Sequence, residues 1–195
     1  MTVPENYQQN NEESVGQVMT SIIYDVLDIV VPALLVVSLI FLFFVRTAGV
    51  DGESMQDTLQ NNDRLLMVNF LYEPQRGDIV IVNRFHVGDA QVEEPLIKRV
   101  IGVAGDTVRV EPTAVYLNGK KLDEPYVNYL NLPYGIEETV PAGCVFVMGD
   151  HRNNSRDSRE FGCFPVEELM GKAVWRIFPT EDFGGIYNNL LPAQE

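Results

Sequence analysis

LIKRVIGV, residues 96–103, is a short run dominated by β-branched side chains, which are stiff about χ1 and pack well on a pleated surface. It predicts a strand, and the two-residue period of a strand sets Lys98 on one face with Leu96 and Val100. Runs of the same kind flank it: 64–69 (RLLMVN), 78–83 (DIVIVN), 107–110 (TVRV), 145–148 (VFVM) and 173–178 (AVWRIF). Val115-Tyr116-Leu117 and Lys120-Lys121-Leu122 are joined by Asn118-Gly119, the pair that supplies the positive φ angles of a two-residue hairpin turn. Short strands separated by turn signals are the mark of a mainly β domain. Residues 123–142 hold Pro125, Pro133, Gly135 and Pro141 and read as a surface excursion from the sheet. The VEELM segment after Pro165 reads as a short helix closed by Gly171.

Upstream the pattern changes. Residues 29–45 (IVVPALLVVSLIFLFFV) carry no charge, and such a run is at the short end of what crosses a bilayer as a helix. Pro32 falls in its first turn, where a missing N–H is tolerated. A buried core helix would show a polar stripe, and this run has none. A cleavable leader needs a basic start and a small-residue cut site, whereas the first 28 residues hold no Lys or Arg and Arg46-Thr47-Ala48 is a poor site. The expectation is a retained anchor over residues 21–46, behind a disordered polar tail at 1–20 that is rich in Asn, Gln and Glu. Arg46 is the one cation flanking the anchor, and the positive-inside rule applied to it would keep the following domain in the cytoplasm. One arginine is a weak vote, and the residues leave the sidedness open.

At 195 residues the chain has room for one globular domain plus the anchor. Residues 47–195 carry 23 acidic and 13 basic side chains, a formal charge of −10. That balance argues against a nucleic-acid partner, whose phosphates require a basic face. Cys144 and Cys163 fit neither a metal cluster nor a disulfide framework. They read as two small buried hydrophobes, with a single bridge as the alternative in an oxidising compartment.

The domain has three serines, Ser54, Ser155 and Ser158, and two histidines, His86 and His151. A Ser-His-Asp triad exists on paper, but Gly52-Glu53-Ser54-Met55-Gln56 lacks the second glycine of a nucleophile elbow. Both histidines sit in polar, turn-like surroundings and are too few for a zinc site. Lys98 is more informative, because its strand neighbours are apolar. A general base must be largely neutral near pH 7–8, whereas free lysine has a pKa of about 10.4; a shift to about 8 takes roughly 3 kcal/mol. Desolvation supplies this, Arg99 would add to it if close, and Glu93 and Glu94 must point away. The plain reading of the same lysine is one that snorkels to a sheet edge. Ser54 follows Gly52, which permits close backbone approach; its plain reading is a serine in a polar turn. Residues 149–162 (GDHRNNSRDSREFG) have the acidic spacing of a calcium loop, yet Arg152 and Arg156 stand where oxygen ligands are needed. A hydrogen-bonded loop with Asp–Arg pairs is the plain reading there.

Together these segments resemble the boxes of type I signal peptidases. A serine-methionine pair soon after the anchor (Gly52-Glu53-Ser54-Met55 through Thr58-Leu59) is followed by an Arg-Gly-Asp-Ile-Val strand at Arg76–Val80. Next come a lysine box at Ile97–Gly102 with Gly105-Asp106, and a Gly-Asp-Asn-Arg box at Gly149–Gly162 with His151 in place of the usual asparagine. The resemblance spans residues 26–178. It implies a mostly antiparallel β fold and a membrane-bound serine endopeptidase, its domain at 47–195 outside the cytoplasm. Its substrates would be exported precursors, cut after small residues of the Ala-x-Ala kind, with membrane lipid as the other partner and no cofactor or metal. Ser54 is the implied nucleophile and Lys98 the implied base. The Ser54 N–H would serve as oxyanion donor, because Gly52 has no side-chain donor. Ser155 would orient the lysine, Asp157 and Arg159 would form a structural ion pair, and Met55, Leu59 and Ile97 would line the substrate pockets. Asp57 stands where the family usually has proline. The rival readings are a catalytically silent tethered β module that binds exported chains and a self-cleaving Ser-Lys regulator.

Overall fold

The computed structural model describes residues 5–56, 58–69, 72–83, 85–87, 90–92, 95–127 and 135–186. The chain divides into two compact units, Met1–Phe43 and Phe44–Glu195. The first is built on one helix, α1 (Glu5–Phe44). Among the described residues it holds the one candidate membrane span, Gln17–Leu39, with a mean hydropathy of 2.3. Large apolar side chains stand exposed along it, Ile29 at 72% and Leu34 at 60%, as suits a helix solvated by lipid.

Three expectations change here. The helix begins at Glu5, so most of the segment expected to be a disordered tail is helical. Glu and Gln are good helix formers, and lengthening an existing helix carries no nucleation cost; residues 1–4 lie outside the described residues. Pro32 therefore sits in the helix interior rather than in a first turn, and its missing N–H deprives the Asp28 carbonyl of its i+4 donor. Arg46 belongs to a strand, not to the anchor.

The second unit is a set of antiparallel strands: β1 (Val45–Gly49), β2 (Arg64–Val68), β3 (Ile79–Val82), β4 (Phe85–Val87), β5 (Ala90–Val92), β6 (Leu96–Val103) and β7 (Thr107–Glu111). There follow β8 (Ala114–Leu117), β9 (Lys120–Lys121), β10 (Ile136–Thr139), β11 (Cys144–Met148), β12 (Phe164–Pro165), β13 (Leu169–Phe178) and β14 (Gly184–Gly185). The main sheet runs β1–β2–β13–β3–β6–β11–β12, with β14 on β13; β10–β7–β8–β9 form a second sheet and β4–β5 a hairpin. The expected strands within 64–69, 78–83, 96–103, 107–110, 115–117 and 145–148 are present. Asn118 and Gly119 have φ of 51° and 80°, and they close the β8–β9 hairpin as their sequence requires.

The helix expected after Pro165 is a single 3-10 turn, Val166–Glu168. Leu169 and Gly171 instead pair with Val82 and Ile81 of β3, across a register shift. Gly171 is a strand glycine rather than a helix stop. Its φ is 151°, and a Cβ there would stand 2.7 Å from the Val68 carbonyl oxygen. The excursion at 123–142 is also less peripheral than expected. Residues 128–134 lie outside the described residues, but Ile136–Thr139 pair with β7, and Tyr126 and Val140 are buried.

β3 is buried along its whole length, and β6 from Ile97 to Gly102, because both faces of these central strands are covered. One apolar cluster holds Leu59, Leu65, Met67, Ile79 and Ile81, and a second holds Ile101, Val108, Val110, Phe146 and Met148 and joins the two sheets. A third gathers Val80, Val100, Val147, Phe161 and Phe164. Lys98 pairs with Val80 across β3–β6. Cys144 and Cys163 are free, partly buried thiols packed against the second cluster. Burial and the neighbouring Glu138 carboxylate push the Cys163 thiol up to about 12.

Candidate active site

The turn that carries Ser54 leaves β1 at Val50 and is closed at its base by two backbone bonds, Val50 N–H to the Asp63 carbonyl (2.8 Å) and Asn62 N–H to the Val50 carbonyl (2.9 Å). Gly52 has φ +98° and gives its N–H to Asn61 Oδ1 at 3.0 Å. Leu59 and Met55 plug the turn into the first apolar cluster. The turn is thus held by its own apolar anchors, and Ser54 is left partly accessible. No hydrogen bond among the described residues uses the Ser54 backbone N–H, as an oxyanion donor requires. Asp57 lies outside the described residues.

Lys98 Nζ stands 2.7 Å from Ser54 Oγ and 3.1 Å from the Ile97 carbonyl oxygen. The lysine is 2% exposed. Burial brings its pKa down from 10.5 to about 8; Asp157 opposes the shift, Arg159 adds to it, and Asp150 opposes it. The assisting cation is therefore Arg159, not Arg99 as expected. Arg99 points the other way along the strand alternation and is spent on Asp150, with bonds of 2.8 and 2.7 Å. Glu93 and Glu94 lie outside the described residues.

The loop 149–162 closes over this pair. Gly149 faces the nucleophile turn so closely that a Cβ there would meet the Ser54 carbonyl oxygen at 2.5 Å and collide with Ser155 Oγ. The His151 N–H donates to that same Ser54 carbonyl at 3.0 Å. Asp157 is the hub of the loop. It accepts from the Gly149 N–H (2.9 Å), from Ser155 Oγ (2.7 Å) and from Arg159 Nε (2.7 Å). Ser155 was expected to orient Lys98, but its hydroxyl is turned to Asp157. The Asp157 charge in turn acts on Lys98. Asp157 and Arg159 sit 0% and 5% exposed as a tight pair.

Lys98 is the one side chain among the described residues that hydrogen-bonds Ser54 Oγ. The His151 ring lies 3.3 Å from the Glu53 carbonyl oxygen, and the His86 side chain is outside those described.

An open groove of about 360 Å³ is lined by Ile97, the strand neighbour of Lys98, and by Asp51 of the Ser54 turn. Its walls come from β1 (Arg46 to Gly49), and the apolar part from Met67, Ile81, Ile97 and Met170. Of the three expected pocket residues only Ile97 lines it. Met55 and Leu59 are 2% and 0% exposed and lie in the apolar cluster with Met67 and Ile81. Sequence reading missed Met67, Ile81 and Met170, which look like ordinary strand residues. It also missed three buried contacts: Asp150 to Thr58 Oγ1 (2.5 Å), the Arg99–Asp150 pair, and Arg152 with Glu124 (2.8 and 2.5 Å). The nearest sequence signal was the density of Asp and Arg in 149–162.

Comparison with known proteins bears on the family. The family model described as signal peptidase, peptidase S26, matches residues 23–178. "Probable signal peptidase I-2" of Synechocystis sp. is 40% identical over 149 residues, 73% of this chain and 67% of that protein. "Signal peptidase I" of Bacillus caldolyticus is 35% identical over 168 residues, covering 77% of this chain and 89% of the relative. "Signal peptidase I S" of Bacillus subtilis is 38% identical over 169 residues, 78% and 85% of the two chains. A crystal structure of a signal peptidase I from Enterococcus faecalis V583 aligns with 30% identity and a TM-score of 0.43, over 52% of this chain and 97% of that one. With the matched family spanning the anchor's end, the serine turn, the lysine strand and the closing loop, the chain belongs to the signal peptidase family, peptidase S26, and is a serine endopeptidase of the type I signal peptidase kind.

Proposed function

We propose that this enzyme cleaves exported precursors with Ser54 as nucleophile and Lys98 as general base, and the observation that carries the reading is the 2.7 Å approach of a buried amine to the Ser54 hydroxyl. The neutral amine takes the hydroxyl proton as Oγ attacks the scissile carbonyl, and the Ser54 N–H receives the developing oxyanion. The ammonium then gives that proton to the departing amine, and an acyl-enzyme is left on Ser54. Water, deprotonated by the same lysine, releases the new carboxylate and restores the serine. Asp157 and Arg159 fix the loop beside Lys98, with Ser155 acting as a positioning residue through Asp157.

β1 lies at one end of the main sheet, so its outer backbone groups are available to an extended chain that adds as a strand. The groove beside β1 and Ile97 suits small side chains, in keeping with cleavage after Ala-x-Ala. Met55 and Leu59 pack in the same apolar cluster as its Met67, Ile81 and Ile97. The candidate span Gln17–Leu39 and the exposed Trp175, Phe178 and Phe183 (45%, 52% and 58%) support lipid as the second partner, with the domain at 47–195 outside the cytoplasm. The test is cleavage of a purified precursor ending in Ala-x-Ala. Ser54→Ala and Lys98→Ala each abolish cleavage while the circular-dichroism spectrum stays that of the wild type. Full activity in either variant rejects the dyad.

A further inference from the structure

Glu124 lies in the stretch between β9 and β10, outside every segment that resembles a family box, yet it meets a fully buried guanidinium. The Arg152 side chain is 0% exposed and that of Glu124 7% exposed. The guanidinium makes two bonds to the carboxylate, Nη1 to Oε2 at 2.8 Å and Nη2 to Oε1 at 2.5 Å. Tyr126 Oη donates to Glu124 Oε1 at 2.9 Å, while the Tyr126 ring is covered by the Arg99 guanidinium, 3.9 Å from its centroid. Arg152 still has Nε to spend, and donates it to the Gly149 carbonyl at 3.1 Å. Gly149 closely faces the Ser54 carbonyl, and the His151 N–H donates to it.

We propose that Glu124 is a positioning residue for catalysis: by fixing Arg152 it holds the Gly149–His151 turn against Ser54 and so keeps the nucleophile within reach of Lys98. This rests on the Ser54–Lys98 reading above. The physical reason is competition for a buried cation. With Glu124 neutral, the Arg152 guanidinium has no carboxylate of its own, and Asp150 is the nearby anion that already stabilises its charge. Asp150 is committed to Arg99 and to Thr58 of the nucleophile turn. Drawing it toward Arg152 loosens the turn from a second side. The groove walls and floor, β1, Met67, Ile81 and Met170, take no part in this chain of contacts. The loss therefore falls on turnover and not on substrate binding.

The experiment measures kcat and KM of the full-length protein on an Ala-x-Ala peptide, well below each variant's unfolding temperature. Wild type and Lys98→Ala run alongside. Glu124→Gln is expected to lower kcat by about tenfold or more with KM within about twofold. Glu124→Asp, which keeps the charge, recovers part of the loss. Leu122→Ala, in the same segment but buried in the apolar cluster that joins the sheets, lowers the melting temperature without that drop in kcat. Should Glu124→Gln fail to fold, Tyr126→Phe keeps the ring on Arg99 and removes the bond to Glu124, and a fall in kcat at constant KM is expected there too. The proposal is overturned if the Glu124 variant, or Tyr126→Phe in its place, turns over like wild type. It is equally overturned if Leu122→Ala loses kcat to the same degree. An inactive wild type, or a fully active Lys98→Ala, would instead overturn the dyad itself.

Discussion

Lys98 is held where its charged form is uncomfortable. A shift from 10.5 to about 8 means that the folded protein carries an ammonium at neutral pH at a cost of about 3 kcal/mol. The sign follows from proton counting. Between those two pKa values the unfolded chain binds the proton that the folded chain has released, so native stability rises with pH across that window. Lys98→Met is therefore expected to be inactive yet more stable than wild type at pH 7, by up to about 3 kcal/mol in urea unfolding, with the difference shrinking above pH 8. Equal stability of the two proteins at pH 7 would show that the amine is not desolvated. The lysine's face was legible from its place between Leu96 and Val100. What could not be read was the source of the assisting charge. Arg99 is adjacent in sequence but on the opposite face of the strand and paired with Asp150, whereas Arg159 arrives from sixty-one residues along the chain.

At the scale of elements, the loop 149–162 and the turn at Ser54 act as one packed unit, and Gly149 is the point of contact. Adding a methyl group there forces the Ser54 carbonyl or the Ser155 side chain to move. Gly149→Ala should reduce kcat by about two orders of magnitude, the scale of effect of a misplacement near 1 Å. Its fold should survive, as read by an unchanged circular-dichroism spectrum. Turnover equal to wild type would mean that the loop does not set the nucleophile. The strands with strong β-branched runs were legible at this scale, and so was the Asn118-Gly119 turn. β1 and β10 were not: VRTAG and IEET have no apolar alternation, and they exist because β2 and β7 offer backbone partners. The segment after Pro165 failed for the converse reason. VEELM has helical propensity, but pairing with β3 pulls Leu169 and Gly171 into the sheet. Met55 and Leu59, which the resemblance places at the substrate pockets, are buried in the same apolar cluster as the groove residues Met67, Ile81 and Ile97, and that shared packing was not legible in the sequence.

At the scale of the whole molecule, the Ser54–Lys98 pair, the loop 149–162 and the groove all come from the unit Phe44–Glu195, while the candidate span lies in α1. The helix then contributes location rather than chemistry. A variant that lacks residues 1–43 should cleave a short soluble peptide at the wild-type rate. It should lose its advantage on a precursor embedded in vesicles, because tethering raises the effective concentration of two membrane-held chains. Equal losses on both substrates would instead assign the helix a part in the site. The anchor, the β class of the domain and the family boxes were all legible in the sequence. The burial of Glu124 and Tyr126 was not, because Pro125 between them made the segment read as surface. The claim on which the rest depends is that the amine beside Ser54 works in its neutral form. The most direct measurement is the pH dependence of kcat/KM for the full-length protein on an Ala-x-Ala peptide, which reports ionisation in the free enzyme. The account predicts activity that climbs with pH through an inflection near 8, and a profile flat from acid to alkaline pH would contradict it.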